Sequence, residues 1–273
     1  MPELPEVQTV VDTLRPRVVG QKLGPVLHLR RDIVTPRSID LPAQLSGRRV
    51  LNISRRGKRI VFWLDDGNRF FIHLGMTGRL TVESADAPLL PHTHLIIALH
   101  LLSGSKRKRA QMRFRDPRRF GGIWWLGQDD PAGTMGPEPL QMRPAQLARR
   151  LARTTRAIKN VLLDQTVVAG LGNIYVDEAL YAARIHPLTA ADEVRPHQIV
   201  KLNRAIKLTL RRALRHRGST LRDYVDADGA AGAFQNLHRV YDREGHPCAT
   251  CHVPIKRIVL GGRSTHFCPK CQR

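Results

Sequence analysis

All four cysteines of this 273-residue chain fall in its last 26 positions, as Cys248-x2-Cys251 and Cys268-x2-Cys271 with sixteen residues between the pairs. Each Cys-x2-Cys can set two thiolates on one side of a tight turn, and two such turns at the ends of a hairpin complete a tetrahedral Zn2+ site. A four-sulfur shell leaves no open coordination position. The ion it implies is therefore structural, folding a segment too short to have its own core. Two disulfides are the competing reading, although nothing in the sequence signals the export to an oxidising compartment that they need. Between the pairs, Gly261-Gly262 predicts a turn that presents Arg263, with Lys256 and Arg257 on the same hairpin.

The charge is lopsided, with 45 Lys and Arg against 23 Asp and Glu, a formal net charge of +22. Such a surplus points to a polyanionic partner, because each phosphate neutralised releases condensed counterions. Nucleic acid leads and an anionic membrane surface trails. Placement sharpens this: Arg48, Arg49, Arg55, Arg56, Lys58 and Arg59 occupy twelve positions with no acid among them. A second basic run, Lys106, Arg107, Lys108, Arg109, Arg113, Arg115, Arg118 and Arg119, surrounds a single Asp116. Over 196–217 the pattern is helical, with Leu202, Ile206, Leu210 and Ala213 on one side and Arg204, Lys207, Arg211 and Arg215 roughly opposite. That basic face suits a phosphate backbone, or simply solubility. No apolar run approaches the ~18 residues of a membrane span, and the N-terminus lacks a secretory pattern. The expectation is a soluble cytoplasmic chain with no membrane partner.

Hydrophobic periodicity divides the chain. Val7, Val10, Val11 and Leu14 predict an amphipathic helix over 5–14, with Pro5 tolerated in its first turn. From 48 to 126 the period shifts towards two: Val50 to Ile53, Ile60 to Leu64 and Phe70 to Ile72 read as strands, with Asp66-Gly67 as a hairpin turn. His94 to Leu101, Gln111 to Arg115 and Ile123 to Leu126 predict further strands, and Gly104 to Lys108 an exposed basic tip. Several short strands with turn punctuation favour a β-sandwich or barrel. Residues 128–144 hold four Pro and two Gly and read as a linker. Helices are expected over 145–152, 157–164, 173–183 and 196–217.

The second residue is a proline. Removal of Met1 would leave it with a free secondary amine, and an α-amino group titrates near ~8, low enough to be partly unprotonated and nucleophilic at neutral pH. Attack on an aldehydic carbon gives an iminium ion. A helix starting near Pro5 would disfavour the ammonium form, whereas the carboxylates of Glu3 and Glu6 would favour it. The sequence leaves the sign open. Glu3, adjacent to the amine, is a candidate proton carrier.

Six strings occur together and in order: PELPEV at 2–7, RRGKR at 55–59, HLGMTGRL at 73–80, DPRRFGG at 116–122, DQTVVAGLGNIYVDEAL at 164–180 and GGRSTHFCPKCQR at 261–273. Over nearly its whole length the chain resembles bacterial formamidopyrimidine-DNA glycosylase. The resemblance implies an α+β protein: an N-terminal β-sandwich with flanking helices, then a helix-two-turn-helix domain with a β-hairpin zinc finger, DNA lying between. The boundaries expected are 1–130 for the catalytic sandwich, 131–144 for the linker, 145–238 for the helical domain and 239–273 for the finger. The implied activity is excision of 8-oxoguanine and formamidopyrimidines from damaged double-stranded DNA by a monomer, followed by strand cleavage at the abasic site.

Carried over residue by residue, the resemblance makes Pro2 the nucleophile at the sugar C1′ and Glu3 the acid that helps open the deoxyribose ring. Glu6 would share the base pocket, and Lys58 would contact phosphate and assist catalysis. Met76, Arg118 and Phe120 match a trio that fills the hole left by the extruded nucleotide, where a thioether and a ring replace stacking and a guanidinium bonds the orphaned cytosine. Asn173, at a predicted helix start, and Arg263, on the zinc hairpin, would hold phosphate beside the reacting sugar. His73 and Lys159 are further DNA-contact candidates. Cys248, Cys251, Cys268 and Cys271 would hold one structural Zn2+, with no organic cofactor. The segment Asp226 to Gln235 corresponds to a mobile loop over the extruded base. Two departures stand out: Gln8 replaces a common Glu, and the tip Gly104 to Arg109 is longer than usual. Endonuclease VIII, a sister family that prefers oxidised pyrimidines, and a noncatalytic zinc-finger DNA-binding protein are the rival readings. Leu4, the DPRRFG string and the complete trio favour the purine enzyme over the sister family.

Overall fold

The computed structural model describes residues 1–100 and 110–273. The basic tip expected over Gly104 to Arg109 lies outside the described residues. The chain forms two compact units, Met1–Gly133 with Arg217–Ala233, and Thr134–His216 with Phe234–Arg273.

In the first unit, helix α1 (Leu4–Val18) is followed by β1 (Lys22–Leu29), β2 (Val34–Thr35) and a short α2 (Leu41–Leu45). Strands β3 (Val50–Arg56), β4 (Arg59–Leu64), β5 (Arg69–His73), β6 (Arg79–Ser84), β7 (Thr93–His100), β8 (Ala110–Arg115) and β9 (Gly122–Gly127) complete it. The strands make two sheets, in the orders β1-β7-β8-β6 and β2-β9-β5-β4-β3. All pairings are antiparallel except the short parallel β2/β9 contact. Alternation explains the layering. Leu80, Val82, Ile97, Met112 and Phe114 of one sheet and Ile53, Ile60, Phe62, Phe70 and Ile72 of the other enter a single apolar core, as a sandwich requires. Val7, Val10, Val11 and Leu14 bury the predicted stripe of α1 in the same core. Phe62 and Phe70 stack across the β4/β5 pair with ring centroids 4.5 Å apart.

Three strands of this unit escaped the sequence reading: β1, the two-residue β2 and β6. Strand β1 contains Gly24-Pro25, and its register shifts between Leu23 and Val26. It lies at the edge of its sheet, where a proline's missing N–H removes no central ladder bond. Strand β6 carries a short alternation, Leu80 and Val82, embedded in a glycine-containing string.

The second unit holds α3 (Pro144–Leu151), α4 (Ile158–Leu163), α5 (Asn173–Ala183), α6 (Pro196–Arg215) and the hairpin β10 (Lys256–Leu260) and β11 (Arg263–Phe267). The α6 stripe is inward, with Leu202, Ile206, Leu210 and Ala213 buried, while Arg204, Arg211 and Arg215 are exposed. No helix among the described residues is long and apolar enough to cross a membrane.

The units divide the chain differently from the expected 145–238 domain, because residues 217–233 pack with the sandwich. Tyr224 and Ala227 belong to its apolar core. Ala227 N–H donates to Thr13 Oγ1 at 3.1 Å, and Val82 N–H donates to Ala227 O at 3.2 Å, so the segment docks on α1 and on the free edge of β6.

Candidate active site and metal centre

The N-terminus of α1 is a pocket of buried charge. Pro2, Glu3 and Glu6 are buried there, as is Lys58 in the turn between β3 and β4. Glu6 turns back so that its Oε2 accepts the Glu3 N–H at 2.8 Å, while its Oε1 accepts the Ser219 N–H at 2.7 Å. Gly218 makes this approach possible: its φ is +78°, and a Cβ there would lie 2.5 Å from Glu6 Oε1. Tyr224 stands beside them, its hydroxyl 3.3 Å from Glu6 O and 3.1 Å from Arg217 O. Burial above all, with Glu6 nearby, pushes the Tyr224 hydroxyl far above its usual range, so it acts as a neutral donor.

The chain-terminal amine feels all of these groups. Burial lowers its pKa most, Glu3 and Glu6 oppose, Lys58 adds to the lowering and Asp223 opposes it. For the Met1 amine the net direction is downward, because loss of water outweighs the two adjacent carboxylates.

Beside the pocket, two loops carry the proposed trio. Met76 lies on 74–78, between β5 and β6; Arg118 and Phe120 lie on 116–121, between β8 and β9. Both apolar side chains are exposed, Met76 by 40% and Phe120 by 54%. The Arg118 guanidinium covers the Phe120 ring at 4.6 Å. The loops touch through backbone, since a Cβ on Gly75 would lie 2.4 Å from Gly121 N. Asp116, wholly buried, joins them: one carboxylate oxygen accepts the Thr77 hydroxyl at 2.5 Å and the other accepts the Gly121 N–H at 2.8 Å. Sequence reasoning assigned no role to Asp116 or Thr77. The signal was present in Asp116 as the one acid in a basic run.

His73 ends β5 beside this region. Burial, then Lys58 and Arg59, lower its pKa to about 4, so the ring is neutral at physiological pH. Its Nδ1 accepts the Gly75 N–H at 3.2 Å, which leaves the proton on Nε2. It can offer a phosphate a hydrogen bond but no charge.

In the second unit, Arg263 is exposed at the start of β11, after Gly261 and Gly262, both at positive φ. Asn173 opens α5, and its Nδ2 donates to Ser264 O at 2.9 Å, tying the helix start to the hairpin. Lys159 requires a correction. It is fully buried, its Nζ 2.6 Å from Asp177 Oδ1 and 2.8 Å from Ser264 O. An ammonium enclosed by a carboxylate and a carbonyl is unavailable to DNA phosphate; Lys159 joins α4 to α5 and the hairpin instead. Asp177 also accepts the His266 N–H at 2.9 Å. Its neighbour Glu178 takes the N–H groups of Arg239, Val240 and Tyr241, each at 2.9 Å, on Oε1.

The four cysteines converge. Their Sγ atoms all lie within 4.8 Å of one another, none is in a disulfide, and Cys248 and Cys268 are buried. The pairs Cys248/Cys271 and Cys251/Cys268 are 3.9 and 3.4 Å apart. A tetrahedron of thiolates about 2.3 Å from Zn2+ has edges of about 3.8 Å. Thr250 N–H and Tyr181 OH approach Cys248 Sγ at 3.4 and 3.3 Å, and Cys271 N–H approaches Cys268 Sγ at 3.4 Å, contacts that suit anionic sulfur. The site fits one four-coordinate ion.

Comparison with known proteins agrees along the chain. The formamidopyrimidine-DNA glycosylase N-terminal domain matches residues 1–123, the H2TH domain of the same enzyme 135–225, and a zinc finger found in FPG and IleRS 245–273. A formamidopyrimidine-DNA glycosylase of Roseiflexus sp. (strain RS-1) is 44% identical and one of Geobacillus kaustophilus 42%, each over the full length of both chains. The crystal structure of MutM (Fpg) from Thermus thermophilus superposes with a TM-score of 0.87 at 40% identity, covering 99% of this chain and 98% of that one. Lactococcus lactis Fpg in complex with abasic-site DNA superposes at 0.90 with 36% identity, covering 99% of each.

Proposed function

The chain belongs to the formamidopyrimidine-DNA glycosylase family, and we propose that it is a bifunctional DNA glycosylase and abasic-site lyase acting on oxidised purines in damaged double-stranded DNA. It serves DNA repair. The observation that carries the reading is the pocket at the start of α1, where Pro2, Glu3, Glu6 and Lys58 are buried together. An amine, a proton donor and a lysine cation in one enclosed site are what imine chemistry on a sugar needs. The L. lactis enzyme in complexes with Fapy-dG DNA and abasic-site DNA supports the substrate class.

Once Met1 is removed, the Pro2 nitrogen attacks C1′ of the damaged nucleotide and the base leaves with the bonding pair. Glu3 delivers a proton to the ring oxygen as the deoxyribose opens, giving an iminium ion. Elimination of the two flanking phosphates then cuts the strand. Glu6 does not carry the proton: both its oxygens hold backbone N–H groups, so it fixes Glu3 and Ser219. Lys58 and Arg263 contribute positive charge to phosphate in their respective units, and Asn173 a polar contact. Met76, Arg118 and Phe120 fill the vacated stack. Cys248, Cys251, Cys268 and Cys271 would hold Zn2+, which when bound supplies a rigid hairpin.

Borohydride tests the reading on duplexes with 8-oxoguanine opposite cytosine. The expected result is protein covalently attached to DNA, sharply diminished in Pro2→Gly and in protein that retains Met1, with duplex binding by Pro2→Gly largely kept. Undiminished trapping in Pro2→Gly overturns the nucleophile. Faster release of thymine glycol than of 8-oxoguanine overturns the substrate class.

A further inference from the structure

We propose that Thr77 and Asp116 are positioning residues that set the backbone of Arg118 and so determine how strictly the enzyme discriminates the base opposite the lesion. The inference rests on the glycosylase reading above and extends it to two residues that never meet the substrate.

The geometry is a relay through one hydroxyl. Thr77 Oγ1 donates its proton to Asp116 Oδ1 at 2.5 Å and accepts the Arg118 N–H at 3.2 Å. Thr77 adjoins Met76, so this single bond couples the loop bearing the thioether to the loop bearing the guanidinium and the ring. Asp116 is itself immobilised. Its Oδ2 holds the Gly121 N–H, its carbonyl accepts the Arg119 N–H at 3.2 Å and His94 Nε2 at 2.9 Å, and its N–H donates to His92 O at 3.0 Å. With the carboxylate at 0% exposure, no water competes for the hydroxyl.

Arg118 needs such a tether. Its side chain is exposed, and the ring beneath it belongs to Phe120, which is itself exposed. Arg119, next in sequence, sits at φ +55°, a conformation non-glycine residues adopt only when their surroundings impose it. A guanidinium that reads a base edge discriminates by direction, and a loop free to swing would bond a wrong base as readily as the right one. Met76 and Phe120 replace stacking, which every base supplies alike. Loosening the tether should therefore cost selectivity before it costs excision.

The test compares kcat and KM for excision of 8-oxoguanine opposite cytosine and opposite adenine in wild type, Thr77→Val and Thr77→Ser. Valine keeps the shape and removes the relay; serine restores the hydroxyl. The expected result is that Thr77→Val lowers the cytosine-to-adenine ratio of kcat/KM about tenfold, Thr77→Ser stays within about threefold of wild type, and thermal unfolding shows both variants folded. An unchanged ratio in Thr77→Val, or a serine variant as impaired as valine, overturns the proposal. Should Thr77→Val fail to fold, the Arg118 amide proton decides in the wild-type protein. Slow exchange supports the relay, and exchange at the rate of an open loop overturns it. A wild type that cuts neither duplex instead overturns the glycosylase reading, and this inference with it.

Discussion

The two ends of the chain solve one problem, holding a reactive or basic group still, by opposite means. At the N-terminus, α1 lays Val7, Val10, Val11 and Leu14 into a core shared by two sheets. The charges of Glu3, Glu6 and Lys58 are held rigid by what surrounds them. At the C-terminus the apolar cluster comprises Val240, Ile255 and two cysteines, with Tyr181 and the other two cysteines packed on it. Too little surface is buried there to offset the loss of chain entropy. Rigidity comes instead from four sulfurs and from buried carboxylates, Asp177 on Lys159 and His266 N–H, and Glu178 on three backbone N–H groups. Hydrophobic burial tolerates many small changes; a few strong polar links fail singly. The C-terminal hairpin and its cysteines should accordingly be the part that breaks first.

Metal removal is the harshest way to press that contrast, since structural Zn2+ contributes about 10–16 kcal/mol in isolated finger peptides. A chelator, or Cys268→Ser, is expected to leave β10 and β11 open to protease and to weaken duplex binding through loss of a fixed Arg263. Amides of β3 to β5 should keep their protection from hydrogen exchange. A hairpin that stays protected without metal would abolish the contrast. Next in size is Lys159→Met, which strands the Asp177 carboxylate in a dry site at a cost of about 3–5 kcal/mol. Denaturant unfolding should register the loss in the second unit, and adding Asp177→Leu should recover only part of it, because the buried His266 N–H then loses its acceptor. The smallest effect is shared. His73 in the first unit and His238 in the second are each lowered to about 4, in both cases chiefly by burial. Between pH 6.5 and 4 the unfolded chain takes up protons that the folded chain refuses, so stability falls as pH falls, by roughly 2–3 kcal/mol per histidine. Titration of the ring protons by NMR checks this, and values near 6.5 would contradict it.

Legibility followed the range of the interactions. Residues whose partners are close in sequence were readable: the Cys-x2-Cys pairs, the β4/β5 hairpin around Asp66-Gly67, the apolar stripe of α1 and α5 at Asn173–Ala183. Lys159 was misjudged because the acid that buries it lies eighteen positions later on another helix, and a lysine seen alone reads as solvent-facing. The 217–233 segment was assigned to the helical domain because it follows α6, whereas Tyr224 and Ala227 find their partners in α1 and β6. Asp116 stood out only as the one acid in a basic run and Thr77 not at all, for a related reason: neither does anything until two loops meet. For Pro2, Glu3, Lys58 and the trio, pattern alone offered weak grounds, and family resemblance supplied their roles.

Glu6 and Ser219 are 213 positions apart, yet the carboxylate of one is closed by the backbone of the other. During synthesis the ribosome delivers every strand of the sandwich and helices α3 to α6 before that closure can form. Until residue 219 emerges, a nascent chain carries an amine and acids without the clasp that fixes them. The order of translation thus postpones the closing of this site until α3 to α6 have been made, and leaves only the C-terminal hairpin and its cysteines to follow.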